Sequence, residues 1–339
     1  MKNESNKVNV DMHIHIPNTR NDEEFLKAEQ WLLRSIETAK ERELAAVSFV
    51  GRNDITPYLD GGLVHKLVKQ EKIPCGLKLI SGTEMMCNIS DAAAQGTHYS
   101  GKMSHILLYG FDPDKAVNVP ILNPDELKRK REKDANNIQS ICHNNGLFVP
   151  NIDPEKDLIA QVATYIENNK GTNRICSDLL VECADKYPTL KTALCRLFFE
   201  NPESKEFFYM REAFPTVKKC LEQGECGKRV LAHPFYMEKA FTGIAYADQV
   251  REIGSIDGLE CDYRSNTCEE IERSREYANK HDLLITAGSD FHDKVAVPYD
   301  PAKDRLAPQI GLNSETGRQL VMDESTVNNL PDYRDFKCQ

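Results

Sequence analysis

Six side chains of types that bind metals lie near the ends of short apolar runs in this 339-residue sequence. In chain order they are His13, His15, Glu84, His105, His233 and Asp290. Imidazole nitrogens combined with carboxylate oxygens suit Zn, Mn or Fe, whereas an all-oxygen set suits Mg or Ca. Because the set exceeds the needs of one four-coordinate ion, it predicts two divalent transition metal ions (Mn, Fe or Zn).

The first run, VNVDMHIH, indicates how its histidines are presented. Successive side chains of a strand point to opposite faces, so the apolar residues from Val8 to Ile16 alternate with Asp11, His13 and His15. One face is then expected to be core and the other to carry chemistry. A lone His-x-His pair is also compatible with a solvated strand face, and the coincidence of ligands at several strand ends is what favours the metal site.

The elements that must position these residues follow from a repeated pattern. Short apolar runs at 8–15, 44–50, 77–84, 104–110, 229–233, 257–262 and 283–289 predict strands, and stretches such as 22–42 and 267–281 predict helices between them. This alternation is typical of βα units with a largely parallel sheet. We therefore predict a (β/α) barrel, a fold that places its active site at the carboxyl ends of the strands.

A different pattern between residues 121 and 228 predicts an insertion. Helical signals follow one another there, with little strand signal apart from 147–149. We predict a first barrel part at 8–120, a helical insertion over the barrel mouth at 121–228, a second barrel part at 229–300 and a C-terminal extension at 301–339. Such an insertion would wall the site and shape its specificity.

The composition and net charge limit the classes of partner that we expect. A net charge of -10 and a pI near 5.5 speak against a duplex nucleic acid surface, which usually carries a basic patch. The basic run 128–131 is interpreted as a solvated helix face, with a phosphate contact as the alternative. No apolar run approaches a membrane span, the first residues lack an apolar signal region, and the 11 cysteines form no CxxC pair, so we expect a cytoplasmic protein with no membrane partner.

The motifs DMHIH, SGTE, SHILLYGF, LAHP, DGLE and AGSDFH, in this order from about residue 9 to 293, resemble the PHP (polymerase and histidinol phosphatase) family of metal-dependent phosphoesterases. The resemblance implies a distorted (β/α)7 barrel with a multi-metal site. It also implies ligand sets: one ion on His13, His15, Glu84 and Asp290, and a second on Glu84, His105 and His233. Asp11 would orient, or accept a hydrogen bond from, a ligand histidine.

The sequence departs from the family where a third metal would bind. Arg20 and Arg52 stand at two positions where the family usually has ligands, and of that third set His292 remains. A guanidinium is permanently charged and fits phosphate or carboxylate, so we predict an arginine clamp in place of the third ion. The alternative is that Arg52 only fills space in a decayed site.

Two further departures affect the substrate more than the fold. Asn266 follows Ser265 where the family often has histidine, and Arg174 matches a family arginine in the insertion, which makes it a possible substrate contact. The predicted function is hydrolysis of the phosphate ester of a nucleotide or another small phosphorylated metabolite by a hydroxide bridging two metals. Arg20 and Arg52 would stabilise the phosphoryl oxygens, and His292 would bind the phosphate or act as general acid, unless it only supports a ligand.

Two other functions remain open at this stage. The same hydroxide could attack an amide or lactone of a carboxylate-bearing substrate, as in amidohydrolases, or the chain could be a non-catalytic relic that binds metal or phosphate. A mononucleotide or a short single-stranded nucleic acid is a further possible partner. Phe207, Phe208 and Tyr209 could stack a base, although an aromatic run on a helix is more often core.

Overall fold

A computed structural model describes residues 6–17, 22–88, 103–144, 147–154, 158–169, 215–236, 243–292 and 309–337. The strands are β1 (Lys7–His15), β2 (Ala46–Arg52), β3 (Lys78–Asn88), β4 (Met103–Tyr109), β5 (Lys228–Leu231), β6 (Gly258–Tyr263), β7 (Leu284–Gly288) and β8 (Val321–Asp323). The helices are α1 (Asp22–Glu41), α2 (Leu63–Lys69), α3 (Pro113–Ala116), α4 (Pro124–Asn144), α5 (Leu158–Asn169), α6 (Val217–Gln223), α7 (Ile244–Ile253), α8 (Cys268–Lys280), α9 (Glu324–Asn329) and α10 (Tyr333–Lys337).

The strands form one sheet in the order β7-β6-β5-β4-β3-β2-β1-β8. The sheet curls until Phe291, just beyond β7, meets β1: the Phe291 N–H donates to His13 O at 3.2 Å and the His15 N–H donates to Phe291 O at 2.9 Å. The predicted barrel of alternating strands and helices is therefore confirmed. β1 to β7 all coincide with the predicted apolar runs, whereas 147–149 is not a strand.

Two strands, β4 and β8, run opposite to the other strands of the sheet. β4 pairs antiparallel with β5, and the short β8 pairs antiparallel with β1. Nothing in an apolar run encodes strand direction, so the sequence predicted neither pairing. The antiparallel β4–β5 pair is one distortion of an ideal parallel barrel.

The barrel core is built from alternate residues of the strands, closed at one end by the C-terminal segment. Val10 and Met12 of β1 belong to a fully buried cluster whose other members come from the neighbouring strands, β8 and α9. Its members are Val10, Met12, Ala46, Val50, Ile80, Leu107, Tyr109, Val230, Ala232, Ala287, Leu320, Met322, Val327 and Leu330. The Tyr109 hydroxyl donates to Met12 O at 2.8 Å, which satisfies the one polar end of a buried ring.

Local sequence fixes the helices that return the chain to the next strand. In α8 the Thr267 hydroxyl accepts from the Glu270 N–H at 3.3 Å and the Glu270 carboxylate accepts from the Thr267 N–H at 2.8 Å. This capping box satisfies backbone groups that the first turn leaves unpaired. α8 leads directly into β7, which carries Gly288 and then Asp290 toward the predicted site.

The chain divides into two compact units. The barrel unit comprises the described parts of 1–87, 104–124 and 217–339, and the second unit those of 88–103 and 125–216. In the second unit, α4 carries the basic run, and Arg129 pairs with Glu126 on its exposed face. Beside it, Gln161 of α5 bonds both the N–H and the C=O of Asp153 at 2.9 Å. The location of an insertion over the barrel mouth stays a prediction.

None of the helices among the described residues combines the length and the apolar character needed to cross a bilayer.

Candidate metal centre

The six predicted ligands converge in two groups at one end of the barrel strands. Among the described residues, His13, His15 and Asp290 form one group and Glu84, His105 and His233 the other, each with one potential ligand atom within 4.8 Å of the others. His233 and Asp290 lie just beyond the ends of β5 and β7. His13 and His15 are among the last three residues of β1. The strand ends thus bring together residues up to 277 positions apart in sequence (13 to 290).

In the first group the potential ligand atoms lie within about a hydrogen-bond distance of one another. His13 Nε2 lies 3.1 Å from His15 Nε2, and His15 Nε2 lies 3.1 Å from Asp290 Oδ1. The third edge, from His13 Nε2 to Asp290 Oδ1, is 3.7 Å. Two imidazole nitrogens facing each other at this distance can share either a proton or a cation.

The second group has the same dimensions. Glu84 Oε1 lies 2.7 Å from His105 Nδ1 and 3.3 Å from His233 Nε2, and the two imidazole nitrogens are 3.2 Å apart. Glu84 also reaches the first group, with Oε1 at 3.5 Å from His13 Nε2 and Oε2 at 3.4 Å from His15 Nε2. One carboxylate therefore contacts the histidines of both groups.

These distances fit a transition metal. A tetrahedral ion with bonds of about 2.0–2.1 Å separates its ligands by about 3.3–3.4 Å, close to most of the edges observed. Glu84 Oε2 is buried and has no hydrogen-bond partner among the described residues, which a metal bond would correct. The residues present therefore fit the predicted ions by donor type, spacing and unmet bonding capacity.

Electrostatics at the site also favour a cation. Burial opposes ionisation of Glu84, yet His105 and His15 hold the pKa of that carboxyl well below its usual range. Burial opposes charge on His13 as well, but the carboxylate of Glu260 raises the pKa of its ring well above the usual range. Burial lowers the pKa of His15 to about 4. The buried carboxylates thus draw positive charge into the site, which a proton on His13 or a metal ion can supply.

Glu260, near the end of β6, supports both groups and was not among the predicted site residues. Its Oε1 accepts from His13 Nδ1 at 3.0 Å, and its Oε2 accepts from the backbone N–H of His233 at 2.8 Å. Its sequence signal was its place in the DGLE motif, within the apolar run 257–262. A carboxylate on the far nitrogen of a ligand histidine sets the tautomer that presents the other nitrogen to a metal.

Asp11 contacts the ligand histidine His13 through the His13 backbone and not through its ring. Its carboxylate accepts from the backbone N–H groups of His13, Ser289 and Gly311 at 3.2, 3.0 and 2.7 Å, whereas the His13 ring bonds Glu260. The register between β1 and β2 shifts between Asp11 and Ile14, so strict alternation breaks inside the motif. Asp11 consequently joins neither ligand group and instead ties the backbone of β1 to the segment that carries Asp290.

Asp290 is held by a second set of residues that the sequence analysis missed. The Tyr263 hydroxyl donates to Asp290 Oδ2 at 2.8 Å, and the Arg264 guanidinium lies 3.2 Å from the same oxygen. The Asp290 backbone has a φ of 48°, and that of His233 a φ of 26°. Non-glycine residues in this region are strained, and such strain is concentrated at functional sites.

Arg52 and His292 lie at the more exposed edge of the cluster. Arg52 ends β2 with its side chain 54% exposed, its Nε 3.9 Å from Glu84 Oε2 and its Nη2 3.4 Å from His292 Nε2. His292 Nε2 is 2.8 Å from Asp290 Oδ1, and its ring stacks on His15 with centroids 4.1 Å apart. Arg52 is therefore brought to the ligand cluster while its outer face remains open to solvent.

Several predicted contacts fall elsewhere. Arg20, Arg174 and the aromatic run 207–209 lie outside the described residues. Asn266 is buried in the turn after β6, where its side chain donates to Cys261 O at 3.1 Å.

Comparison with known proteins supports the fold. A Bifidobacterium adolescentis protein provisionally described as a metal-dependent phosphoesterase has a similar structure, with a TM-score of 0.52 at 21% identity over 96% of each chain. An amidohydrolase from Chromobacterium violaceum, solved with sulfate and no metal, gives a TM-score of 0.47 at 16% identity, covering 84% of this chain and 87% of the other. No protein-family model matches the sequence, and no curated protein matches it.

The fold and the cluster together define a class: an α/β barrel with a buried histidine–carboxylate centre at its strand ends that fits divalent metal ions.

Proposed function

We propose that the protein is a metal-dependent hydrolase that cleaves phosphate esters of small molecules. The observation that carries the proposal is the pair of ligand groups sharing Glu84, with the partly exposed guanidinium of Arg52 beside them. A dianionic phosphate carries more negative charge than the single carboxylate of an amide or lactone substrate, and it carries that charge at the reacting centre. A cation at the rim of the cluster therefore favours a phosphoryl substrate over an acyl one.

Two divalent ions would be held by the two groups, with Glu84 between them. When bound, such ions supply Lewis acidity and a nucleophilic water at neutral pH. The burial of Glu84, His13 and Asp290 keeps bulk water from competing for the ligand atoms, and it keeps their geometry fixed.

Arg52 is proposed to bind the phosphoryl oxygens that face solvent. Its Nε stays near Glu84 and its Nη2 near His292, so the outward side of the fork is free for an anion at the mouth of the cluster. Negative charge that develops on the phosphoryl group would be stabilised by a fixed cation, and solvent water would not have to reorient. Arg20 and Arg174 are proposed as further anion contacts on the sequence pattern alone.

His292 is proposed to deliver a proton to the leaving oxygen. Its Nε2 is held by Asp290 at 2.8 Å, and its ring, about a third exposed, lies against His15. Contact with a carboxylate orients the imidazole, and its partial exposure allows its proton to be renewed from solvent. The proposed substrate is a small phosphorylated molecule such as a mononucleotide, with a short single strand as the larger alternative.

The decisive measurement is metal content per chain, by elemental analysis, on protein purified without chelator or metal-affinity resin. Close to two equivalents of Mn, Fe or Zn is expected, followed by turnover of phosphate esters in a panel that also includes N-acyl amino acids and lactones. A content near zero that added Mn, Fe or Zn does not raise would refute the hydrolase. Turnover of the acyl substrates alone would show that the enzyme acts on a carbonyl carbon and not on a phosphate ester.

A further inference from the structure

The buried carboxylate of Glu260 connects the two ligand groups. One oxygen lies 3.0 Å from Nδ1 of His13, a member of the first group. The other accepts from the backbone N–H of His233, a member of the second group, at 2.8 Å. Glu260 is completely buried, so no water can replace either contact from bulk solvent.

The two contacts demand two acceptor oxygens. A backbone N–H can only donate, so Oε2 must accept from His233. The carboxylate also accepts at Oε1, which in the neutral ring that binds a metal places the proton of His13 on Nδ1 and leaves the lone pair on Nε2. Nε2 is the nitrogen that faces His15, Glu84 and Asp290.

The surrounding backbone is shaped to admit Glu260. A Cβ at Gly288 would lie 2.5 Å from Glu260 Oε1 and 2.3 Å from the Cβ of His13. Any other residue at this position would separate the carboxylate from the ring. On the other side, the hydrogen bond that the His233 N–H donates to Glu260 holds a residue in a strained conformation, with a φ of 26°.

We propose that Glu260 is a positioning residue that sets the tautomer of His13 and the backbone of His233, and so prepares both halves of the metal centre at once. This inference rests on the proposed metal centre. Glu260 touches neither ion nor substrate in this role; it acts through the two histidines.

The test is Glu260→Gln, which is nearly isosteric but offers one acceptor and one donor. The amide oxygen is expected to stay with the His233 N–H, since a backbone donor cannot change. The amide NH₂ then faces His13 Nδ1 and drives its proton to Nε2, where it blocks a metal. Zn²⁺ binding is measured by competition with a chromophoric chelator, and the His13 tautomer by ¹⁵N NMR, assigned with His13→Asn.

The expected result is selective. One of two Zn²⁺ equivalents weakens by about 10- to 100-fold, the cost typical of losing such a partner, while the other is retained. Glu270→Gln, in the exposed capping box of α8, removes a carboxylate without contact to the site and should bind as wild type. Unchanged binding of both equivalents by folded Glu260→Gln, or equal weakening of both, overturns the inference.

The wild-type spectrum tests the inference without any variant. At a pH where the His13 ring is neutral, a proton on Nδ1 supports the role of Glu260 and a proton on Nε2 overturns it, even if Glu260→Gln fails to fold. Wild-type protein that binds no Zn²⁺ refutes the proposed metal centre instead, and is distinguished from failure of the Glu260 role by the same spectrum.

Discussion

Replacing Arg52 by alanine should slow hydrolysis of a phosphate ester by about 10- to 100-fold in kcat/KM, which corresponds to about 1.4–2.8 kcal/mol. Two unit charges about 4 Å apart interact by about 1 kcal/mol in water and about 4 kcal/mol at the effective dielectric near a protein surface. The Arg52 side chain is 54% exposed and lies 3.9 Å from Glu84, so the effect should fall between these limits.

The assay is steady-state turnover of one phosphomonoester, with metal content measured on the same samples. Arg34→Ala is the matched control, because Arg34 is an exposed arginine of α1 and alanine suits a helix. Arg52→Lys should recover part of the loss, since it restores charge but not the fork. If Arg52→Ala retains its metal and turns over the ester at the wild-type rate, the guanidinium does not bind the phosphoryl group and only fills space.

Three further variants test the site and its support. His292→Asn should keep its metal and lose about 10²- to 10⁴-fold in kcat, and a normal rate would remove the general-acid role. Gly288→Ala should lower the free energy of unfolding by about 1–3 kcal/mol in urea, since the new Cβ would lie 2.3 Å from His13 Cβ; an unchanged midpoint would show that the backbone yields freely. Asp257→Asn should destabilise the protein at neutral pH. Burial opposes ionisation of Asp257, but hydrogen bonds from Arg229 lower its pKa in the folded state. Its contribution is thus present above the unfolded pKa of about 4 and disappears as the pH falls, so urea unfolding should separate wild type and Asp257→Asn at pH 7 and not at strongly acid pH.

The strands and the ligands could be predicted because both depend on local pattern. An apolar run marks a buried strand wherever it pairs, and a polar residue at its end lies at the barrel rim whatever the order of the strands. His233 and Asp290 could be predicted as ligands in this way. Parallel strands place their ends together, so residues far apart in sequence could be assigned to one cluster without knowledge of any contact. His105 reaches the same rim differently, from near the start of the antiparallel β4.

The support of the ligands could not be predicted, because it depends on register and direction. The shift between Asp11 and Ile14 separates Asp11 from the face that alternation gave it. Glu260 stands one residue before a second register shift, in β6, and its contact with His13 spans 247 residues. Arg264 lies in a turn after β6, where no periodic signal exists. A one-residue shift changes which side chains meet, and no local pattern records it.

The charges near two of the ligand carboxylates are the physical basis for proposing two ions instead of three. Arg264 lies 3.2 Å from Asp290, and Arg52 lies 3.9 Å from Glu84, so each of these two ligand carboxylates already faces a guanidinium. A further cation beside either carboxylate would meet positive charge that cannot be lost by deprotonation. A negatively charged phosphate at the same edge would be attracted by this positive charge. In the proposed two-ion site, the Arg52 guanidinium that opposes a third cation would also attract an anionic substrate, so Arg52→Ala should weaken ester turnover without reducing the affinity for the two ions.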